Sequence, residues 1–146
     1  MGPVPEGNFT IPLGQAAVKR EGQDITLLSY GSGFYLCQEA LGELDKLDID
    51  AEVIDLRTLK PLDMALVAES IKKTHRAVIV HEACLTGGFG AELTARIQDE
   101  LFDYLDAPIK RVAAKDFPIP FSPPLEDYVL PKVADVIGAA RAVTYR

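Results

Sequence analysis

A glycine-rich turn at the start of a predicted helix is the first stretch whose residue types could bind a ligand. Residues 31–33 read Gly-Ser-Gly and follow the apolar run 25–30, which has the composition of a buried strand. A helix that begins behind glycines presents backbone N–H groups that can bind a phosphate. The dinucleotide fingerprint needs a third glycine, however, and position 36 is Leu36. The run therefore predicts a tight structural turn, with a small-anion site as the open alternative.

A histidine and a carboxylate at the end of another apolar run form the second candidate. His81 and Glu82 follow residues 77–80, and the glycine-rich run 86–90 comes next. A histidine beside a carboxylate can act as a general acid or base. An isolated histidine at a strand end is more often a hydrogen-bonded structural residue, and we predict that role. The glycines allow close approach of a ligand or of a neighbouring chain. His75, at a predicted helix end that favours a cation, is expected to be exposed.

An acidic group near a proline-rich segment is the third candidate. A group of this kind is usually a solvated surface, and the alternative is an electrostatic docking patch for a basic partner. Its members are Asp103, Asp106, Asp116, Glu126 and Asp127.

No set of nucleophile, base and acid can be assembled from these candidates. The two histidines also lack further ligands at metal-binding spacing. The two cysteines, Cys37 and Cys84, lie in apolar stretches and are expected to be buried free thiols in a reducing compartment. The sequence therefore predicts no catalytic, cofactor-binding or metal-binding residue. A domain without recognisable catalytic or ligand-binding residues is often a structural part of a larger enzyme.

Composition restricts the chain to one globular domain. It has 146 residues, 48% of them hydrophobic, and a net charge of -7, which is typical of a folded domain and unsuited to a nucleic-acid partner. No apolar run approaches the ~20 residues of a membrane span, and no signal peptide is recognisable. We therefore expect a cytoplasmic protein, or a piece of a longer chain whose targeting segment is not shown.

The elements that must position these residues alternate between strand and helix. Residues 1–10 have the glycine and proline content of a linker remnant, and residues 11–146 form the predicted domain. Strands are predicted over 25–30, 51–56, 77–80 and 109–113.

Four helices are predicted to connect and follow these strands. Asp63 is placed to cap a helix that runs to about Lys73. Pro131 suits the first turn of a last helix. Two further helices are predicted from apolar residues at helical spacing, with Glu92 and Arg96 paired on the outside of the second: Leu36, Ala40, Leu41, Leu44 and Leu47; and Phe89, Leu93, Ile97, Leu101 and Leu105.

This alternation predicts an α/β fold with a mostly parallel sheet covered on both faces. Residues 116–124 contain four prolines, which exclude a regular helix or a central strand. We predict an extended surface crossing there.

Several strings, in the right order, resemble one family. They lie at 9–16, 20–26, 51–59, 61–63, 70–74, 81–83, 105–109 and 111–112, with Asp116, Pro118 and Pro120 after them. From about residue 8 to about residue 142 the chain resembles the C-terminal domain of the beta subunit of thiamine-diphosphate-dependent 2-oxo acid dehydrogenases. The resemblance implies a transketolase C-terminal-like fold: a three-layer α/β/α sandwich whose mostly parallel sheet has one antiparallel edge strand.

The resemblance also implies a role and partners. Thiamine diphosphate and Mg²⁺ bind between an alpha chain and the beta chain's N-terminal domain, which is absent here, so this domain alone is expected to be inactive. Its expected role is assembly of a heterotetramer with the alpha subunit and a second beta subunit, in the cytoplasm or the mitochondrial matrix. A further expected partner is the basic subunit-binding domain of the dihydrolipoyl acyltransferase, for which the resemblance implies docking at Asp106 and Arg146.

The run 81–90 looks most like the branched-chain (2-oxoisovalerate) enzymes. Cys84 and Ala114 depart from that pattern, which often has Pro and Gly at these positions. The same domain of a pyruvate or acetoin dehydrogenase is the alternative substrate assignment. Rivals from other classes are a free-standing small-anion-binding module and a purely structural dimerisation domain.

Overall fold

A computed structural model of the chain describes residues 6–146. Residues 1–5 of the predicted linker lie outside the described residues, and residues 6–10 form neither helix nor strand. The strands are β1 (Ala17–Arg20), β2 (Ile25–Ser29), β3 (Ala51–Asp55), β4 (Ala77–Cys84) and β5 (Lys110–Ala114). The helices are α1 (Gly33–Lys46), α2 (Met64–Thr74), α3 (Phe89–Leu101), α4 (Pro123–Val129) and α5 (Val133–Thr144), with a 3₁₀ turn at Phe102–Tyr104.

The strands form one sheet in the order β1-β3-β2-β4-β5. The pairs β2–β3, β2–β4 and β4–β5 are parallel, and Leu27 at the centre of β2 lies opposite Val53 and Val78. Strand β1 pairs antiparallel with β3 at the edge. This sheet confirms the predicted fold class. The residues alone did not indicate β1, because four partly polar residues lack strand periodicity, but the resemblance implied an antiparallel edge strand.

Alternating side chains along the strands separate two hydrophobic layers. Leu27 and Val53 pack on one face with α1 and α5. Leu28 and Ile54 pack on the other face with α2 and α3. Both layers consist of buried, mostly aliphatic side chains, and each fully buried Val, Leu or Ile among them contributes about 1.5–3 kcal/mol by leaving water. The result is the expected three-layer sandwich, with the sheet between two layers of helices.

Helix α2 begins as predicted. The Asp63 carboxylate accepts a hydrogen bond from the backbone N–H of Leu66 at 3.1 Å and caps the helix. The helix ends at His75, which adopts the left-handed conformation at φ 59°. His75 is half-buried rather than exposed as predicted, because its Nδ1 lies 2.9 Å from the Tyr104 carbonyl oxygen.

Two predictions about the C-terminal half are wrong in detail. Residues 116–122 cross the surface without regular structure, but helix α4 begins at Pro123, because a proline in the first helical turn has no N–H to satisfy. Arg96 pairs with Glu100 at 3.2 Å instead of with Glu92, one turn in the opposite direction. No helix within residues 6–146 has the length and hydropathy of a membrane span.

The two cysteines differ in environment. Cys37 is a buried free thiol on α1, as predicted, and burial raises its pKa to about 12. Cys84 is half-buried, which corrects the prediction for this residue. Strand β4 extends four residues beyond the predicted 77–80, through an irregularity of register between Val80 and Cys84, and brings Cys84 to the end of the sheet.

Candidate functional site

The Gly-Ser-Gly turn after β2 has a structural role. A β-carbon at Gly33 would approach the Val80 carbonyl oxygen to 2.8 Å, so glycine lets α1 pack directly on β4. The first free N–H groups of the helix donate to the carbonyl oxygens of Gly31 and Ser32, at 3.3 and 3.0 Å. Two of the backbone donors at this helix start, those of Phe34 and Tyr35, are therefore engaged. The prediction of a tight turn is confirmed, and the alternative of a small-anion site has no support in this geometry.

His81 lies in the interior of β4 and is fully buried. Its ring stacks on Tyr30 with centroids 5.8 Å apart and planes 8° apart, and Tyr30 in turn meets the edge of Phe89. Within the described chain neither ring nitrogen has a hydrogen-bond partner. Burial, with the nearby positive charge of Arg111, lowers the pKa of His81. Packing against Tyr30 holds the ring in place, and the hydrogen bond that we expected for it is not present in the described chain.

The glycines after β4 make room for this imidazole. A β-carbon at Gly90, in the first turn of α3, would lie 2.2 Å from Nε2 of His81. One at Gly88 would lie 2.9 Å from the Cε1 atom of the same ring and 2.2 Å from the Cys84 carbonyl oxygen. Such approaches exclude any side chain with a β-carbon unless the loop moves. The sequence pattern of a histidine followed by spaced glycines is thus the mark of a close packing contact.

His81 and Glu82 do not form an acid–base pair. Successive residues of a strand point to opposite faces, and Glu82 is exposed whereas His81 is buried. The carboxylate therefore cannot orient the imidazole or accept its proton.

The loop after β4 is tied to the end of β5. The backbone N–H and the hydroxyl of Thr86 donate to the Asp116 carboxylate at 2.8 and 2.7 Å. These bonds lower the pKa of Asp116. Arg111 completes the junction through a 2.6 Å bond from its guanidinium to the Leu85 carbonyl oxygen. Asp116 therefore acts as a structural link between two loops.

The other acidic residues lie at different ends of the molecule. Asp106 precedes β5, and its N–H bonds the carbonyl of His75 just before β4, so it lies at the amino ends of the parallel strands. Asp116 follows β5 at the opposite, carboxyl end. Asp127 on α4 pairs with Lys132. The five acidic residues do not form one continuous patch.

Asp106 and Arg146 are both found at the amino-end edge of the sheet. Asp106 is exposed and its carboxylate lies 3.5 Å from the guanidinium of Arg76. Arg146 contacts Asp24, the residue before β2, at 3.0 Å. The backbone N–H of Thr26, the second residue of β2, bonds the Arg76 carbonyl, which links the two positions. This edge carries the residues that the family resemblance assigned to partner docking.

A buried ion pair under α2 was not predicted. Glu52 on β3 is 1% exposed, and it accepts hydrogen bonds from Ser70 and Lys73. Lys73 also donates to Glu21 at 2.7 Å. The signal in the sequence was an acidic residue inside an otherwise apolar strand. The contacts link β3 to α2.

An exposed apolar surface was also missed. We call it the proline–aromatic groove, and it consists of Phe117, Pro118, Pro120, Leu125, Tyr128 and Val129, with a volume of about 410 Å³. Ile119 and Phe121 are exposed in the segment that forms one side of it, and Phe121 is fully exposed. Apolar residues alternating with prolines over 117–121 were the available signal, because prolines keep such a segment extended and out of the core.

The described residues do not fit a thiamine diphosphate or Mg²⁺ site. Residues 6–146 contain no group of three or more His, Cys, Asp or Glu side chains that could hold a metal ion. At the start of α1, the glycine-flanked turn that suggested a phosphate, the N–H groups of Phe34 and Tyr35 are bonded within the turn. No chemical step is therefore assigned to these residues.

Comparison with known proteins identifies the family. The family described as "Transketolase, C-terminal domain" matches residues 14–136. The chain is 46% identical to the pyruvate dehydrogenase E1 component subunit beta of Rickettsia felis over 97% of its length and 44% of that protein. It is 46% identical to the beta subunit of an acetoin:2,6-dichlorophenolindophenol oxidoreductase of Bacillus subtilis, over 94% of this chain and 40% of the other.

A solved structure has the same fold. It is described as a split-gene transketolase in an inactive beta4 tetramer, with a TM-score of 0.82 and 26% identity, over 99% of this chain and 46% of that one. The chain thus spans less than half of the length of these relatives.

Proposed function

This chain belongs to the transketolase C-terminal domain family, and we propose from that premise that it is the C-terminal domain of the beta subunit of a 2-oxo acid dehydrogenase. The observation that carries the proposal is 46% identity with such a beta subunit over 97% of the chain. The complete enzyme would use thiamine diphosphate and Mg²⁺ to oxidise a 2-oxo acid, with a lipoyl disulfide as acceptor. The present domain supplies no residue to that reaction, so it has no activity alone.

The substrate type that we propose is taken from the named relatives. The two curated relatives described above are a pyruvate dehydrogenase component and an acetoin oxidoreductase. They favour the pyruvate or acetoin type over the branched-chain type that residues 81–90 suggested. Within the run 81–90, Gly88 and Gly90 lie against the buried His81 ring, which gives these two glycines a packing role. The compartment would be the bacterial cytoplasm or the mitochondrial matrix, since relatives from eukaryotes are named as mitochondrial.

The domain's role in this proposal is assembly. Its partners are the alpha subunit, a second beta subunit and the subunit-binding domain of the dihydrolipoyl acyltransferase. For the last of these, the docking surface includes Asp106 and Arg146 at the amino-end edge of the sheet. An exposed carboxylate there can form a charge-assisted hydrogen bond with an arginine or lysine of a basic partner.

Calorimetric titration of the full chain with a recombinant acyltransferase subunit-binding domain of the pyruvate type tests the proposal. Asp106→Ala should weaken binding by about 2–5 kcal/mol if the pair is desolvated in the complex. Asp103→Ala is the matched control, because it removes the same charge from the neighbouring 3₁₀ turn. No binding by the unsubstituted chain, or a loss below ~0.5 kcal/mol for Asp106→Ala, would count against docking at this edge.

A further inference from the structure

We propose that a groove at the carboxyl end of the sheet binds a small zwitterionic molecule with an apolar body, of the kind that a free apolar α-amino acid represents. We call it the β3–α3 groove, because it lies between the loop after β3 and helix α3. It has a volume of about 420 Å³, and its lining includes Leu59, Lys60, Leu62, Phe89, Glu92 and Arg96. The inference does not depend on the proposed function, since the groove and Asp106 lie at opposite ends of the sheet.

The position of the groove is one where ligands bind in open α/β sheets. Its two sides follow the carboxyl ends of β3 and β4, and β2 lies between these strands in the sheet. The chain turns one way from β2 to β3 and then back across β2 to β4, and ligands bind outside the carboxyl ends of strands at such a reversal. Small-molecule pockets have volumes of about 300–1,000 Å³. Position and size therefore both suit a small ligand.

The groove contains two opposite charges that the described chain leaves unpaired. Lys60 and Glu92 are exposed and form no ion pair with each other or with another residue in that part of the chain. Arg96, one turn after Glu92 on α3, pairs with Glu100 instead. A simple anion in the groove would face the Glu92 carboxylate, and a simple cation would face Lys60 and Arg96. A molecule that carries both signs complements the whole lining.

The unpaired state of Lys60 is uncommon in this protein. Six of its lysines contact a carboxylate or the face of an aromatic ring: Lys19, Lys46, Lys72, Lys73, Lys115 and Lys132. Within the described residues, only Lys60 and Lys110 do neither. Lys110 begins β5 at the amino end of the sheet, so Lys60 is the one lysine at the carboxyl end whose charge is free for a ligand.

Apolar side chains make up the rest of the lining. Leu59, Leu62 and Phe89 are half-buried, and the Phe89 ring meets Tyr30 edge-on at a centroid distance of 6.2 Å. The aliphatic or aromatic body of a ligand would remove further apolar surface of these side chains from water, which stabilises the complex. This wall selects an amino acid with an apolar side chain over glycine.

The loop that carries Lys60 is held in place before a ligand binds. The Thr58 hydroxyl donates to the Pro61 carbonyl oxygen at 2.9 Å and accepts from the Gly14 N–H at 3.0 Å. Gly14 packs so closely that a β-carbon there would lie 2.8 Å from Cγ of Pro61. Asp63 then caps α2 directly after the loop. Little backbone freedom remains to be lost on binding, which favours affinity.

Amide NMR spectra of the full chain during titration with L-norleucine test the inference. The signals of Leu62, Phe89 and Glu92 should shift in a saturable manner, with a dissociation constant on the order of 1 mM. Three partial analogues separate the recognition elements: hexanoate lacks the ammonium group, pentylamine lacks the carboxylate and glycine lacks the apolar body. Each should bind about threefold more weakly or worse.

Substitutions at exposed positions assign the two charges. Lys60→Met should weaken norleucine binding about threefold or more, because the ligand carboxylate loses its cation. Lys110→Met is the matched control, since it removes the other unpaired lysine, and it should change the dissociation constant less than about 1.5-fold. Glu92→Gln should abolish the preference for norleucine over hexanoate, which a general loss of stability would not do.

Four results would overturn the inference. The first is the absence of a saturable shift up to about 20 mM norleucine. The second is hexanoate or pentylamine binding as tightly as norleucine, which would reduce the groove to a site for one charge. The third is an equal loss of binding in Lys110→Met and Lys60→Met. The fourth is a groove whose signals respond to an added alpha subunit and not to norleucine, which would assign it to a protein interface.

Discussion

Nε2 of His81 lies so close to Gly90 that a β-carbon at position 90 would approach it to 2.2 Å. The imidazole is fully buried and has no hydrogen-bond partner in the described chain, so the first turn of α3 is positioned by packing on the ring. This contact connects β4 to α3.

Gly90→Ala should destabilise the domain by about 1–3 kcal/mol, because the added methyl group overpacks the contact. Gly138→Ala is the matched control, since position 138 is also helical and has open space within 4 Å of an added β-carbon. It should stabilise the domain by about 0.4–1 kcal/mol. Urea unfolding followed by circular dichroism measures both. An equal response of the two variants would contradict the packing contact.

Lowering the pH should reduce the stability of the fold through protonation of His81. Burial and the positive charge of Arg111 lower its pKa in the folded state, whereas the unfolded chain has the ordinary value of about 6.5. As the pH falls below that value, the unfolded state takes up the proton first, so stability is present at neutral pH and is lost on acidification. One proton accounts for at most ~1.4 kcal/mol per pH unit.

His81→Leu should therefore flatten the dependence of the unfolding free energy on pH between about pH 7 and pH 5. Gly138→Ala is the control, because it changes no titratable group and should retain the full dependence. An unchanged slope in His81→Leu would assign the acid sensitivity to other groups.

Asp63 joins two parts of the fold. Its Oδ1 caps α2 at the Leu66 N–H, and its Oδ2 accepts a 2.9 Å hydrogen bond from the Ala16 N–H just before β1. Asp63→Ala should cost about 1–2 kcal/mol of stability. Asp63→Asn keeps the cap but replaces the second acceptor by an amide donor. It should therefore lose some stability, but less than Asp63→Ala loses. Asp103→Ala, an exposed change, should stay within about 0.5 kcal/mol. Thermal unfolding of the three variants checks this order.

Lys73 neutralises a buried carboxylate. Lys73→Met leaves Glu52 buried without a cation, and the expected loss is about 2–4 kcal/mol, moderated because Lys73 itself is partly exposed. The double variant Glu52→Gln with Lys73→Met should recover most of the loss. Lys46→Met, which breaks an exposed pair with Glu43, should cost less than about 0.5 kcal/mol. A double variant no more stable than Lys73→Met would show that unpaired charge is not the cause.

Much of the fold was predictable because its signals are local. The apolar run before residue 30, the cap at Asp63 and the helical spacing around Leu93 each depend on residues within a few turns of chain. The family resemblance added the antiparallel edge strand, which its own four residues could not indicate. The branched-chain assignment depended on residues 81–90, in which Gly88 and Gly90 are explained by their close approach to His81.

Only the tertiary structure shows which of the candidate site residues lie together and what each one contacts. His81 and Glu82 are neighbours in the sequence but lie on opposite sides of β4, so alternation along the strand separated a pair that spacing had brought together. Asp116 became a link to Thr86, thirty residues away, instead of part of an acidic surface.

The sequence by itself determined an α/β domain with no evident catalytic set, since hydrophobic periodicity and turn residues act over short distances. Only the tertiary structure decided that Glu52 is paired with Lys73 and that the aromatic residues between Phe117 and Tyr128 remain exposed. Burial and pairing depend on residues that are distant in the chain and meet only when the sheet and its helices pack together.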